Sequence, residues 1–305
     1  DFCLSRGLGD VYKRQGDYVT ARQIQERLEQ QLETDVSLKV TPTDQPDAWI
    51  VAGRGELHLS ILIENMRREG FELQVSKPQV ILREIDGVLS EPFERVQCEV
   101  PSENAGAVIE SLGARKGEML DMMTTDNGLT RLIFMVPARG MIGYTTEFMS
   151  MTRGYGIINH TLEEFRPRVK AQIGGRRNGA LISMDQGQAT SYAIINLEDR
   201  GVNFMEPGTE VYEGMIVGEH NRENDLTVNI TKAKHQTNVR SATKDQTQTM
   251  NRPRILTLEE ALQFINDDEL VEVTPENIRL RKKILNKSAR EKEAKRVKQM
   301  MQEDQ

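Results

Sequence analysis

Between residues 231 and 254 the chain carries Lys232, Lys234, Arg240, Lys244, Arg252 and Arg254 against a single acid, Asp245. Six cations less one anion give net +5 over 24 residues, in a chain whose formal charge is −7. The segment has no apolar period, so it reads as a loop, and His235 falls within it. Flexible cations at this density suit the neutralisation of closely spaced phosphates by side chains free to follow them. A solvated surface loop is the alternative. Arg176-Arg177, inside GGRRNGAL, is a second candidate. Its flanking glycines allow close backbone approach, and a guanidinium can grip phosphate bidentately; exposed arginines on a turn are the competing reading. Residues 279–298 add ten bases against Glu291 and Glu293, a charge that suits RNA or plain solvation. Residues 259–272 hold six acids and no base, which could offset the tail or the basic loop.

Catalytic patterns are missing. GxxxxGK[ST] occurs nowhere, so no phosphate-cradling loop with its lysine and hydroxyl is expected. Gly53-Arg54-Gly55 lacks the third glycine of a dinucleotide fingerprint and reads as a tight strand-to-helix turn. His58, His160, His220 and His235 show no metal spacing. His58 reads as a partly buried structural residue on a helix, and His220, beside Glu219, as a partner in a local hydrogen bond. There is no GxSxG elbow and no Cys/His nucleophile pair. Cys3 and Cys98 are too few for a disulfide framework and form no CxxC pair. No catalytic residue, cofactor site or metal site is expected in this chain. The pI near 5.4 excludes a wholly basic nucleic-acid binder, and 5% aromatics argues against modules that stack several splayed bases. No run of 18 apolar residues and no signal-peptide core are present, so the chain reads as cytosolic, with no membrane partner.

The elements that must hold these residues follow from periodicity. Thr20-x-x-Gln23 is a capping box, and Ile24, Leu28 and Leu32 continue it as a one-faced helix. Alternation at Val36, Leu38, Val40 and at Trp49, Val51 gives two strands. A helix from Gly55 carries Leu59, Leu62, Ile63 and Met66, and Phe71, Leu73, Val75 close the unit as a strand. The order αββαβ is one strand short of a ferredoxin-like unit, and the missing strand is a central one. Residues 1–15, DFCLSRGLGDVYKRQ, match neither period; they resemble translated adapter read-through and are expected to be a non-native leader outside the fold. The first unit, 16–77, is therefore expected to be incomplete and weaker than the second, 78–167. That second unit reads as a full βαββαβ, with Asp126-Asn127-Gly128 as a hairpin turn. Arg54-Gly55 and Arg139-Gly140 open equivalent helices in the two units; Glu69-Gly70 and Arg153-Gly154 end them. A third unit, 168–290, is rich in glycine and short strands, with a capped helix at Thr257-x-x-Glu260 and a strand at 270–273. A basic, polar tail occupies 291–305. The fold class is α+β: two ferredoxin-like units, the first lacking its first strand, then a β-rich domain with a capped helix and basic helical tail.

Three segments carry a resemblance: RGELHLSILIENMRREGFELQVS (54–76), EPGTEVYEGMIVGEHNREND (206–225) and TLEEALQFINDDELVEVTP (257–275). Over roughly residues 16–290 the chain resembles the C-terminal portion of the BipA (TypA) family of bacterial translational GTPases. Elongation factor G and LepA share the two ferredoxin-like units, as their third and fifth domains, but not the third unit. The resemblance implies a parent that hydrolyses GTP on the 70S ribosome, with GTP and Mg2+ in a half absent from this sequence. It implies docking of these domains on the 70S ribosome and 50S subunit, through 23S rRNA and A-site tRNA, as a monomer, with roles in large-subunit assembly and stress adaptation. The second unit would sit near the base of the ribosomal stalk, and the loop would reach toward the peptidyl-transferase centre. Carried over residue by residue, Lys232, Lys234, His235, Arg240 and Lys244 would meet RNA phosphates. Arg252, Arg254, Arg176 and Arg177 join them on charge and placement. The alternative of a different class is a stand-alone protein-interaction module with no ribosome binding.

Overall fold

The computed structural model describes residues 2–6, 15–45, 47–125, 127–171, 173–233 and 250–303. The first unit contains β1 (Phe2–Arg6), α1 (Ala21–Thr34), β2 (Lys39–Pro42), β3 (Ala48–Ala52), α2 (Glu56–Arg68) and β4 (Leu73–Ser76). Thr20 and Gln23 make the reciprocal capping box that opens α1. Ile24 and Leu28 are buried beneath the sheet with Leu59, Ile63 and Met66 of α2, whereas Leu32, at the far end of the expected stripe, is exposed.

The strand order β4-β1-β3-β2 is a complete ferredoxin-like sheet, so the expected gap is filled. Phe2–Arg6, expected to lie outside the fold, pairs antiparallel with β3 on one side and β4 on the other. The reason is backbone accounting. An empty central position would leave facing rows of N–H and C=O groups unpaired, and any extended segment able to bury one apolar side chain relieves that. Leu4 is that side chain, with no exposed surface, and the Cys3 N–H donates to Ser76 Oγ at 2.8 Å. A strand of five residues is too short for its alternation to be read from sequence. Hydrogen exchange checks the correction: amides of Val51 and Val75 should be protected to a degree comparable with Val96 and Val100 of the second unit. Deleting residues 1–6 should expose the first pair selectively. Unchanged protection after the deletion would return Phe2–Arg6 to the status of a leader.

The second unit contains β5 (Arg83–Ile85), β6 (Val88–Pro101), α3 (Ala105–Ala114), β7 (Glu118–Thr124), β8 (Leu129–Pro137), α4 (Ala138–Met141), α5 (Tyr144–Met151) and β9 (Ile157–Pro167). Its antiparallel order β9-β6-β8-β7 repeats the first unit's, with β5 turned back on the start of β6. Its core, including Val96, Cys98, Leu112, Phe134, Tyr144 and Phe148, is separate from the others.

The third unit contains β10 (Ala180–Ser183), β11 (Gly187–Gln188), α6 (Ser191–Leu197), β12 (Gly201–Asn203), β13 (Glu210–Val211), β14 (Met215–His220), β15 (Leu226–Val228), α7 (Leu258–Phe264), β16 (Glu269–Val273), β17 (Ile278–Lys282) and α8 (Lys287–Glu303). β16 pairs antiparallel with β4, from Leu270 opposite Ser76 to Val273 opposite Leu73. The first and third units therefore share one ten-stranded sheet, running β15-β10-β14-β17-β16-β4-β1-β3-β2 with β12 beside β14. The outer edge of a ferredoxin-like unit is thereby covered rather than left as a template for aggregation. One core spans the seam, joining Leu28, Ile63 and Val75 to Ala261, Leu262 and Val271. The second unit adds no strand to this platform. It meets the platform where the Gly143 N–H donates to Glu56 and Thr146 Oγ1 donates to Gln263 at 3.2 Å. One of its linkers is latched where buried Glu91 pairs with Arg139 Nε at 2.6 Å and accepts the Val169 N–H at 2.9 Å.

Candidate nucleic-acid interface

The basic segment leaves and rejoins the platform at one place. On the departing side, Thr190, which also caps α6 by accepting the Ala193 N–H, donates from Oγ1 to the Lys232 carbonyl at 2.6 Å. On the returning side, the Asn251 N–H and Nδ2 donate to the Glu198 carboxylate at 2.7 and 2.8 Å, and the Arg254 N–H donates to the Asn203 carbonyl at 2.9 Å. Met250 packs on the core between them. Both ends of the segment are thus fixed to α6 and the turn after it. The side chain of Lys232 projects from this base exposed, as does that of Arg252, neither with an acidic partner among the described residues. Arg254, about half exposed, lies 3.8 Å from Glu219 and 3.6 Å from Glu260, within reach of both acids. Lys234, His235, Arg240 and Lys244 lie outside the described residues.

The adjacent pair Arg176-Arg177 divides. Arg177 is exposed. Arg176 is not available to a phosphate, which corrects the sequence expectation. Its side chain is 4% exposed and meets Glu269, itself fully buried, through two bonds of 2.9 and 3.0 Å. Its Nε donates to the Asn178 carbonyl at 2.6 Å, and the guanidinium lies 4.3 Å from the Phe264 ring centroid. A bidentate pair stacked on an aromatic face has no donors left for a ligand.

That pair belongs to a buried network along the seam. Lys282 Nζ lies 2.8 Å from Glu269, 2.6 Å from Asp225 and 2.8 Å from Asp268. Burial alone would lower the Lys282 pKa, but these carboxylates outweigh it and raise the value. Burial and neighbouring Glu272, which accepts the Tyr212 hydroxyl at 2.8 Å, hold the Tyr212 pKa well above its ordinary value. Within the acidic stretch 259–272, Glu269 and Glu272 neutralise cations of the core, chiefly Arg176, Lys282 and Arg279, while Glu260 faces Arg254 at the returning end of the basic segment. The first cations of the basic tail are likewise inside, on β17. Those after Lys282 remain outward: Lys283, Lys287, Lys292 and Lys295 are exposed. Asn286 Oδ1 caps α8 by accepting the Ala289 N–H at 3.1 Å, and Arg290 donates to the Leu285 and Ile284 carbonyls.

Two of the three diagnostic segments, 206–225 and 54–76, prove architectural. In 206–225, Tyr212 and Asp225 join the network; Gly214, at φ +86°, sits where a Cβ would fall 2.7 Å from Leu285 Cα. His220 Nδ1 lies 2.6 Å from the Asn224 carbonyl, a local hydrogen bond as its neighbours suggested. In RGELHL, His58 Nε2 meets Asp35 at 2.6 Å while its Nδ1 accepts the Arg54 N–H at 3.3 Å, tying the turn before α2 to the end of α1. Hydrogen bonds from the Ser37 hydroxyl and N–H, then His58, hold Asp35 down to about 2. Glu64, bonded by Arg67 and then Arg68, is also held to about 2. Folded values below the unfolded ones mean that both groups stabilise the fold above about pH 4. That contribution should fade as pH falls from about 4 to 2, and carboxyl-carbon NMR should place both titrations near the bottom of this window. Titration of Asp35 near pH 4 would remove its part.

No group of His, Cys, Asp or Glu able to hold a metal occurs among the described residues, and no helix there is long and apolar enough to cross a membrane.

Comparison with known proteins agrees with this architecture. Residues 17–77 match the family model for elongation factor G domain III, 88–173 that for the elongation factor G C-terminus, and 178–287 that for the TypA/BipA C-terminal domain. The class is thus an elongation-factor-G-like pair of ferredoxin-like domains extended by a third. The chain is 68% identical over 285 residues to the large ribosomal subunit assembly factor BipA of Bacillus subtilis, covering 93% of this chain and 47% of that protein. Proteins of the same name from Synechocystis and Escherichia coli K12 are 51% and 49% identical, over 88% and 91% of this chain and 45% and 46% of theirs. The chain belongs to the BipA/TypA family, as its C-terminal portion, and spans about half the length of the curated relatives it matches.

Proposed function

We propose that this chain is the ribosome-docking half of a translational GTPase that serves large-subunit assembly and stress adaptation in the cytoplasm. It binds the 70S ribosome and 50S subunit as a monomer, contacting 23S rRNA and the A-site tRNA region. GTP and Mg2+ belong to the remainder of the relatives' length, and this chain contributes docking rather than hydrolysis. The observation that carries the reading is the clamped base of the basic segment, with Lys232 and Arg252 outward and unpaired among the described residues. The names of the relatives direct it to the large subunit. Mechanistically, a rigid platform presents cations to phosphates whose positions are set by folded RNA, so shape rather than base sequence is read.

Cosedimentation of the full chain with 70S ribosomes, from about 50 to 200 mM salt, tests this. Pelleting should weaken steeply with salt, by a log–log slope of roughly −0.7 to −0.9 for each phosphate contact. The full chain is needed because excising the third unit would uncover the β16 edge. Absence of pelleting at the lowest salt would defeat the reading, and salt-insensitive pelleting would favour a protein-interaction module.

A further inference from the structure

A cleft of about 330 Å3 separates the platform from the second unit, between the start of α2 and the β6–β9 end of the second sheet. Its walls are mostly apolar, lined by Leu59 of the platform and by Ile81, Met141, Ile142, Leu162 and Phe165 of the second unit. Pockets of this size and lining, at domain boundaries, are the usual form of small-molecule sites. The polar groups are few: Glu56 from the first turn of α2, Glu94 from β6, His160 from β9, and Arg54, Gln79 and Arg83.

Glu56 is the anomaly among them. Glu91, Glu269 and Glu272, all buried, each face a guanidinium or ammonium group, and buried Glu72 accepts the Gln15 and Gly16 N–H groups. Glu56 has no ion-pair partner among the described residues. Its hydrogen-bond partner is the Gly143 N–H, at a long 3.4 Å. The basic side chain whose charge offsets it, His160, is held by Glu94 at 2.6 Å. Burial pushes the Glu56 carboxyl above its ordinary range, Gly143 opposing and Glu259 adding to the shift. A desolvated carboxylate without a counter-ion is costly, and a cation entering the cleft removes that cost.

We propose that the cleft between the platform and the second unit binds a compact apolar molecule bearing one cationic nitrogen, which pairs with Glu56. The apolar walls disfavour hydrated inorganic cations. Arg83, stacked 4.5 Å from the Phe165 ring centroid, and exposed Arg54 disfavour polyamines by like-charge repulsion. A single ammonium on an aryl or alkyl body satisfies both constraints. The site is independent of RNA docking, since none of its residues belongs to the proposed phosphate contacts.

Methyl-observed NMR of the full chain, titrated with 2-phenylethylamine, tests the proposal. Shifts confined to Leu59, Met141, Ile142 and Leu162 are expected, with Kd on the order of 1 mM for a ligand so small. 3-Phenylpropionate, the same body with the opposite charge, should bind at least about tenfold more weakly, because it meets Glu56 as a like charge. Glu56→Gln keeps an acceptor for the Gly143 N–H and should lose about tenfold in amine affinity, the coupling expected of one partly buried ion pair. Leu162→Trp, at a largely exposed position, fills the cleft without touching Glu56 and should lose as much. Equal binding of the two probes, undiminished amine binding by Glu56→Gln, or no shifts at about 20 mM amine would each overturn the assignment.

Discussion

Arg176→Met will lower the unfolding free energy of the platform by about 3 kcal/mol, the lower part of the range for breaking a buried ion pair by removing one partner. The loss is large because Glu269 stays behind with no exposed surface and two hydrogen bonds fewer. It is not larger because Lys282 Nζ, at 2.8 Å, and the Asn266 N–H, also at 2.8 Å, keep hold of the same carboxylate. Removing both partners, as Arg176→Met with Glu269→Leu, should recover part of the loss, since the desolvation cost of the carboxylate goes with it. Urea denaturation reads both variants. A shift below about 1 kcal/mol for Arg176→Met would mean that the pair is solvated in solution. Arg177→Ala, one residue along and exposed, should stay within about 0.5 kcal/mol of the parent.

The contrast between neighbouring arginines marks where sequence was legible. Capping boxes at Thr20 and Thr257, the helix opened by Gly55 and the element order βαββαβ of the second unit were readable, because caps, turns and apolar periods are local patterns even where the strands they mark pair at long range. What escaped was long-range. Glu269 and Lys282 are register partners in the β16–β17 hairpin, as are Glu272 and Arg279. That complementarity, ELVEV against IRLRK, was a signal that could have removed Glu269 and Glu272 from the search for loop partners. Arg176 meets Glu269 across 93 residues of sequence, and no local pattern announces that. The same holds for the seam: β4 looks like any closing strand until β16 lies beside it. Family signatures at 54–76 and 206–225 identified the chain without indicating function, since residues such as His58, Gly214 and Asp225 turn out to hold the platform together.

For ribosome affinity the largest effect should come from Lys232→Ala, Lys234→Ala and Arg240→Ala combined. Three phosphate contacts removed from a counterion-release equilibrium should flatten the log–log salt slope by roughly 2–3 units. At about 100 mM salt that corresponds to a loss of at least tenfold in affinity, because each contact gives up the entropy of a released ion. Stability should be untouched: Lys232 meets the fold through its carbonyl, which accepts from Thr190 whatever the side chain. Thr190→Val supplies the complementary test, since it deletes both that anchor and the α6 cap while keeping every cation. It should cost about 1 kcal/mol of stability and weaken docking, yet leave the salt slope unchanged. Charge number sets the slope; the clamped base sets how well the charges are aimed. Parallel changes in slope for the two variants would separate neither effect and would remove the clamp from the mechanism.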